Sequence, residues 1–165
     1  MQSSEGKIAL MDDEDFEYLN QWTWYVRRDR NRFYATGYSK SSDQKYVRID
    51  MHRAVLRLTT GDGIRIDHIN GNGLDNRKEN LRIASRAENG MNRGKFAKTS
   101  SRYKGVRWHK CEAKWNAQIK SKGRYIYLGS YSNEEDAARA YDKAATEHFG
   151  SFARLNFSEN LLSST

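Results

Sequence analysis

In the segment DHINGNGLDNRKENLRIASRAEN, residues 67–89, an acid and a histidine stand side by side as Asp67 and His68, and asparagines recur at Asn80 and Asn89. Cutting a phosphodiester with a metal ion needs hard oxygen ligands for the cation, a base that takes a proton from water, and a group that holds the base in place. Residue types for all three parts are present here. Mg2+ prefers carboxylate and carbonyl oxygens and keeps several of its waters, so one Asp and one Asn with a substrate phosphate make a reasonable partial shell. Zinc would ask for more His or Cys. An EF-hand is excluded, because Ile69 stands where its pattern needs an oxygen ligand. Gly, Asn and Asp are also ordinary turn residues, and on composition alone NGNG signals only a loop.

The elements that must position these residues are legible around them. IRIDHI alternates as a strand, with Ile64 and Ile66 on one face and Arg65 and Asp67 on the other, before His68 enters the glycine-rich loop. NLRIAS alternates again through Leu81 and Ile83, and Ser85-Arg86-Ala87-Glu88 has the S-x-x-E form of a capping box opening a helix. Asn89 falls in the first turns of that helix. The order is strand, loop, strand, helix, with Asp67, His68 and Asn89 where the elements meet. Upstream, WTWYVRR, RFYATGY and KYVRID read as strands parted by DRN and SKSSDQ, and MHRAVLRL reads as a short helix carrying His52 and ended by TTGDG. The acidic run DDEDFE suits the first turn of a short helix and is read as structural.

GMNRGKFAKTSS, residues 90–101, has the small, polar, basic composition of a linker. Beyond it, RYKGVRWH, KWNAQIK and RYIYLGSY read as three strands. In the middle one Trp115, Ala117 and Ile119 share a face, while Lys114, Asn116, Gln118 and Lys120 share the other. Ser132 and Glu135 have capping-box spacing, and Ala137, Ala138, Ala140, Tyr141, Ala144, Ala145 and His148 form a small-residue stripe at helical period, with Gly150 as its stop. The result is a compact α+β unit whose open sheet face is basic and aromatic, with Arg107, Trp108, His109, Tyr125 and Tyr127 joining Lys114, Gln118 and Lys120. Such a face can bind nucleic acid, or it can be the solvated side of an ordinary sheet.

A length of 165 residues allows one ordinary domain or two small ones. The charge balance of 29 Lys and Arg against 21 Asp and Glu gives +8 and favours an anionic partner. Residues 91–128 hold eleven of the basic residues and one acid, Glu112. The lone Cys111 allows neither an internal disulfide nor a cysteine-rich metal site, which disfavours secreted scaffolds and zinc fingers. No apolar run approaches the roughly 18 residues that span a membrane, and MQSSEGKIALMDDED lacks a signal-peptide core. A soluble intracellular protein is expected, in the cytoplasm of a bacterial or phage-infected cell.

MHRAVL followed by IDHINGNGLDNRKENLRIASRAEN, with the upstream part from KIALMDDEDFEYL, resembles the HNH endonuclease family of the homing type over about the first 90 residues. The resemblance implies a ββα-metal hairpin in which Asp67 is the metal-binding acid, His68 the general base, Asn80 the residue that steadies the histidine loop, and Asn89 the helix residue completing the metal site. One Mg2+ or Mn2+ per active site is implied, with His68 deprotonating the water that attacks phosphorus in line. His52 and Arg53 match the family's HR motif. Both are candidates for the substrate phosphate, with packing as the alternative for His52. One site per chain suggests nicking.

YKGVRWHKCEAKWNAQIKSKGRYIYLGSYSNEEDAARAYDKAA resembles the plant ethylene-response-factor, or Apetala-type, DNA-binding domain over about 55 residues. That resemblance puts DNA contacts at Lys104, Arg107, Gln118, Lys120, Tyr125 and Tyr127, with Tyr141 meeting the DNA backbone from the helix. Gln118 replaces an acid of the plant pattern, Tyr125 an arginine and Tyr127 a tryptophan.

The expected architecture is α+β: a small N-terminal sheet plus the ββα-metal hairpin, then a three-stranded antiparallel sheet packed on one helix. Its divisions are a nuclease domain over 1–90, a basic linker over 91–102, a DNA-binding domain over 103–157 and a tail over 158–165. The expected function is a metal-dependent endonuclease acting on double-stranded DNA and targeted by the C-terminal domain, with no membrane association. The alternatives are a non-enzymatic DNA-binding regulator on a relic HNH fold, and an RNA-binding module, since basic aromatic sheets also stack single strands.

Overall fold

The computed structural model describes residues 6–95 and 99–157. Residues 1–5, residues 96–98 of the expected linker and the expected tail at 158–165 lie outside the described residues. The chain divides into two compact units, Met1–Asn89 and Gly90–Thr165.

In the first unit a 3-10 turn at Asp13–Asp15 leads into α1 (Phe16–Leu19). Three strands, β1 (Tyr25–Asp29), β2 (Arg32–Lys40) and β3 (Tyr46–Asp50), then form an antiparallel sheet in sequence order. Val26, Phe33, Ala35 and Ile49 turn to one core with Leu19, Trp24, Leu74 and Leu81, and with Met51, Ala54 and Val55 of α2 (Met51–Val55). The acidic run does more than start a helix. Asp15 is 1% exposed and its carboxylate oxygens lie 3.1 Å from Arg57 and 3.1 Å from Lys78, tying three distant segments together.

The next two strands are shorter than the alternating pattern suggests. β4 (Ile66–His68) and β5 (Leu81–Ile83) form a two-stranded antiparallel ribbon. Beyond its end, Ala84 N–H still donates to Arg65 O at 3.0 Å. The helix α3 (Arg86–Met91) opens with the expected capping box: Glu88 N–H donates to Ser85 Oγ at 3.2 Å, and Ser85 N–H donates to Glu88 Oε2 at 2.7 Å.

The second unit is an antiparallel sheet of β6 (Val106–His109), β7 (Lys114–Ser121) and β8 (Arg124–Tyr131), packed on α4 (Glu134–Phe149). The turn between β7 and β8 uses Lys122 and Gly123, both at positive φ, which matches the strand twist in a tight hairpin. Val106, Ala117 and Ile119 meet Ala137, Ala138, Tyr141, Ala144 and Ala145, so small side chains let the helix lie close to the sheet. Gly105 marks the tightest approach. It sits at φ +79, and a Cβ there would come 1.9 Å from the Tyr141 ring.

Two local expectations differ. Asn133, not Ser132, caps α4, with its side-chain oxygen accepting from Glu135 N–H at 2.7 Å. Glu135 is drawn instead to Arg102 and the Tyr103 hydroxyl, long-range partners that the S-x-x-E spacing does not reveal. His148 is exposed, and Phe149 completes the buried stripe before Gly150 ends the helix at φ +51. Among the described residues no helix is long and apolar enough to cross a membrane.

Candidate functional site

Residues on three elements meet around His68. The imidazole is 7% exposed at the end of β4. Its ring centroid lies 5.2 Å from that of His52 on α2 and 6.0 Å from that of Tyr34 on β2, and Tyr34 and His52 are themselves 6.1 Å apart. Nε2 of His68 lies 3.4 Å from Oδ1 of Asn76, a residue only 1% exposed. The orientation of the Asn76 amide is set by its other end, whose Nδ2 donates to Leu74 O at 3.1 Å. An amide oxygen only accepts, so the His68 proton belongs on Nε2 and the lone pair on Nδ1.

Burial is the main reason that the pKa of His68 lies below the usual histidine value, opposed by Asn76 and by the charges of Asp67 and Asp75. His52 is pushed down to about 3, first by burial and then by the positive charges of His68, Arg53 and Arg27. Both rings are therefore neutral at neutral pH, as a proton acceptor must be. Nδ1 of His52 is buried and has no hydrogen-bond partner.

The glycine-rich loop is built from its asparagines. Asn80 is 6% exposed and spans the loop mouth, with Nδ2 donating to Asp75 O at 2.7 Å and Oδ1 accepting from Asn70 N–H at 2.9 Å. Its contacts are with the loop and not with the histidine ring. Asp75 takes a bidentate pair from Arg77, at 2.9 and 2.7 Å, and accepts from Asn70 Nδ2 at 2.8 Å. Gly73 lies so close to β2 that a Cβ would come 2.5 Å from Phe33 O and 2.6 Å from the Tyr34 ring.

Asp67 and Arg82 are direct cross-strand partners in the β4–β5 ribbon. Arg82 Nε and Nη2 both donate to Asp67 Oδ2, at 3.0 and 2.7 Å, where the Asp67 carboxylate is only 5% exposed. Asn89 lies on α3, partly buried, with its backbone N–H donating to Ser85 O at 3.0 Å. Among the described residues no group of three or more His, Cys, Asp or Glu side chains is arranged to hold a metal ion. The donor set to weigh is therefore one carboxylate and one amide, completed from outside the chain.

Arg53, expected at the substrate phosphate, is engaged within the chain in this structure. Its guanidinium donates to Ile64 O at 2.8 Å and Thr59 O at 2.6 Å and pairs with the Asp62 carboxylate, so its side chain braces the loop that follows α2.

In the second unit, register pairs Arg107 with Asn116, Gln118 with Tyr127, and Lys120 with Tyr125, which sets the five expected contact residues Arg107, Gln118, Lys120, Tyr125 and Tyr127 on one face. Tyr125 is 68% and Tyr127 61% exposed, and Lys120 Nζ lies 5.3 Å from the Tyr125 ring centroid. Ser130 joins Tyr127 to Asn116 through bonds of 2.7 and 2.6 Å, which fixes the tyrosine hydroxyl in place.

Two further residues expected to contact DNA have internal partners here. Tyr141 is 3% exposed in the core between α4 and the sheet, so its ring is packing. Lys104 donates to Met91 O, and its ammonium lies 5.7 Å from the Tyr141 ring centroid. Burial pulls its pKa down to about 8.

Sequence reasoning missed Asn76, Tyr34 and Arg82. Asn76 is one asparagine among several in the loop, and nothing in its type separates a buried histidine partner from a turn residue. Tyr34 comes from another element altogether. Arg82 was the one within reach, because pairing the two alternating strands in register places it opposite Asp67.

Comparison with known proteins agrees with the two resemblances. A family model described as HNH endonuclease matches residues 50–91, and one described as AP2 domain matches residues 101–151. An uncharacterized HNH endonuclease of Acanthamoeba polyphaga mimivirus is 30% identical over 156 residues, covering 92% of this chain and 76% of the viral one. An ethylene-responsive transcription factor of Arabidopsis thaliana is 39% identical over 83 residues, and an APETALA2-like protein of Oryza sativa is 48% identical over 65 residues. These matches cover 49% and 38% of this chain but only 18% and 14% of the plant proteins. An HNH endonuclease region and an AP2 DNA-binding region thus share one chain.

Proposed function

The chain belongs to the HNH endonuclease family, and from that premise we propose that it hydrolyses phosphodiesters of double-stranded DNA, with His68 as general base and its C-terminal sheet selecting where. The observation that carries this reading is the state of His68: buried, neutral, and held at Nε2 by Asn76. Its lone pair then takes a proton from water as the water oxygen bonds to phosphorus and the opposite P–O bond breaks. The leaving oxygen takes a proton from solvent. Asn80 keeps the loop closed behind the histidine, and His52 supports the ring from the side.

HNH nucleases generally use divalent metal ions. Asp67 and Asn89 offer hard oxygens that suit Mg2+ or Mn2+ and not zinc. The Asp67 carboxylate is paired with the Arg82 guanidinium, so an ion bound there would share or displace that cation. Asp67 and Asn89 would hold one ion per chain, which when bound supplies neutralising charge at the phosphate. A single such site per chain favours nicking of one strand.

Arg107, Gln118, Lys120, Tyr125 and Tyr127 form the surface assigned to DNA. Linking this surface to the nuclease unit raises the effective concentration of each on the other's substrate. Supercoiled plasmid tests the proposal. Nicked circles should form with Mg2+ and be absent with a chelator or in His68→Ala. Binding without nicking would instead support a DNA-binding protein on a relic nuclease fold, and equal nicking by His68→Ala would remove His68 from the role of general base.

A further inference from the structure

We infer that Arg27, on the N-terminal sheet and outside the segment that matches the HNH model, is a catalytic residue that binds the non-bridging oxygens of the scissile phosphate. The inference rests on the reading of His68 given above.

The placement comes from the sheet. Arg27 on β1 is the direct cross-strand partner of Tyr34 on β2. Its guanidinium carbon lies 5.5 Å from the centroid of the Tyr34 ring, the same ring that packs against both histidines. Burial is the main cause of the lowered pKa of His52, and the Arg27 charge adds to it after those of His68 and Arg53. Arg27 therefore reaches the same Tyr34 ring that packs on the histidines and, through Gly73, on the glycine-rich loop.

Its hydrogen bonding is incomplete. Nε is buried and has no partner, and the nearest carboxylate, Asp29, stands at a long 3.8 Å. Arg53 also has a buried Nε without a partner, but its Nη1 and Nη2 donate to backbone carbonyls, and Arg77 spends Nε and Nη2 on Asp75. The Arg27 side chain is still 35% exposed, so solvent and substrate reach it. A buried N–H without an acceptor costs stability, and such a cost persists where a ligand supplies the acceptor. A phosphate offers two non-bridging oxygens in the geometry of the guanidinium fork, and Tyr34 is a flat platform that holds the fork in place. In-line attack adds negative charge to those oxygens, so a cation fixed there stabilises the transition state more than the ground state.

The test uses the full chain, supercoiled plasmid and Mg2+, with nicking rate at saturating protein, plasmid affinity and melting temperature read for each variant. Arg27→Ala should nick about 100-fold more slowly, while affinity and melting temperature change little. Arg27→Lys should recover part of the rate, and free methylguanidinium should restore part of the activity of Arg27→Ala, which a merely structural arginine would not allow. Arg28→Ala, one residue along and on the other face of β1, should behave as wild type. The inference alone is overturned if Arg27→Ala nicks within about threefold of wild type while His68→Ala is inactive. It is also overturned if the loss in Arg27→Ala accompanies loss of the folded state and methylguanidinium restores nothing. A wild-type chain that does not nick overturns both this inference and the reading beneath it.

Discussion

Asn76 Oδ1 faces His68 Nε2 at 3.4 Å in a site where both side chains are almost fully buried. The pair decides which histidine nitrogen carries the proton, and therefore which one is left to accept one.

Asn76→Ala should slow plasmid nicking by about 10- to 100-fold, because the histidine loses the partner that fixes its tautomer. Plasmid affinity should stay unchanged, since Asn76 is 1% exposed. Single-turnover nicking beside a retention assay makes the separation. Equal losses in rate and affinity would show that the asparagine shapes the fold and not the base.

Stability should fall with acid through His52. In the folded chain its pKa is about 3, against 6.5 for an ordinary histidine. Above pH 6.5 the ring is neutral folded or unfolded. Between 6.5 and 3 the unfolded chain binds a proton that the folded chain refuses, so stability drops as pH falls, by at most about 1.4 kcal/mol per pH unit. The groups facing the ring are His68 on β4, Tyr34 on β2, Arg27 on β1 and Arg53 beside it on α2. Urea unfolding at pH 7 and pH 5 should show the slope in wild type and a shallower one in His52→Phe.

Arg82→Ala should destabilise the chain by about 3 kcal/mol, because it leaves the Asp67 carboxylate buried without its cation. Mg2+ should then raise the melting temperature of this variant more than that of wild type. Thermal melts with Mg2+ and with chelator make the comparison. No difference in Mg2+ response would place the cation away from Asp67.

On the second unit, Lys120→Ala and Tyr141→Ala should fail in different ways. Lys120→Ala should weaken DNA binding and lower the salt slope by about one, with the fold intact. Tyr141→Ala removes a 3% exposed core ring and should cost roughly 3–5 kcal/mol in stability. Salt-dependent binding and chemical denaturation of both variants distinguish surface from core.

Much of this protein is written in local pattern. Two-residue alternation placed the strands of both units, and the Ser85–Glu88 spacing marked the start of α3 because a capping box closes within one turn. Where two local signals competed, the pattern failed. Ser132 and Asn133 both suit a helix start, and Arg102 and Tyr103, some thirty residues away in sequence, drew Glu135 out of the box and left the cap to Asn133.

By itself the sequence determined the order of elements and the resemblance of one half to HNH nucleases and of the other to AP2 domains, since each depends on spacing along the chain. Tertiary structure decided which polar side chains are spent inside. It buried Tyr141 and turned Lys104 to Met91, committed Arg53 to its loop, and set Tyr34 and Arg27 from the N-terminal sheet beside the histidines. The reason is physical: a side chain's chemistry depends on its desolvation and on partners brought from other elements, and neither is a property of the residues next to it.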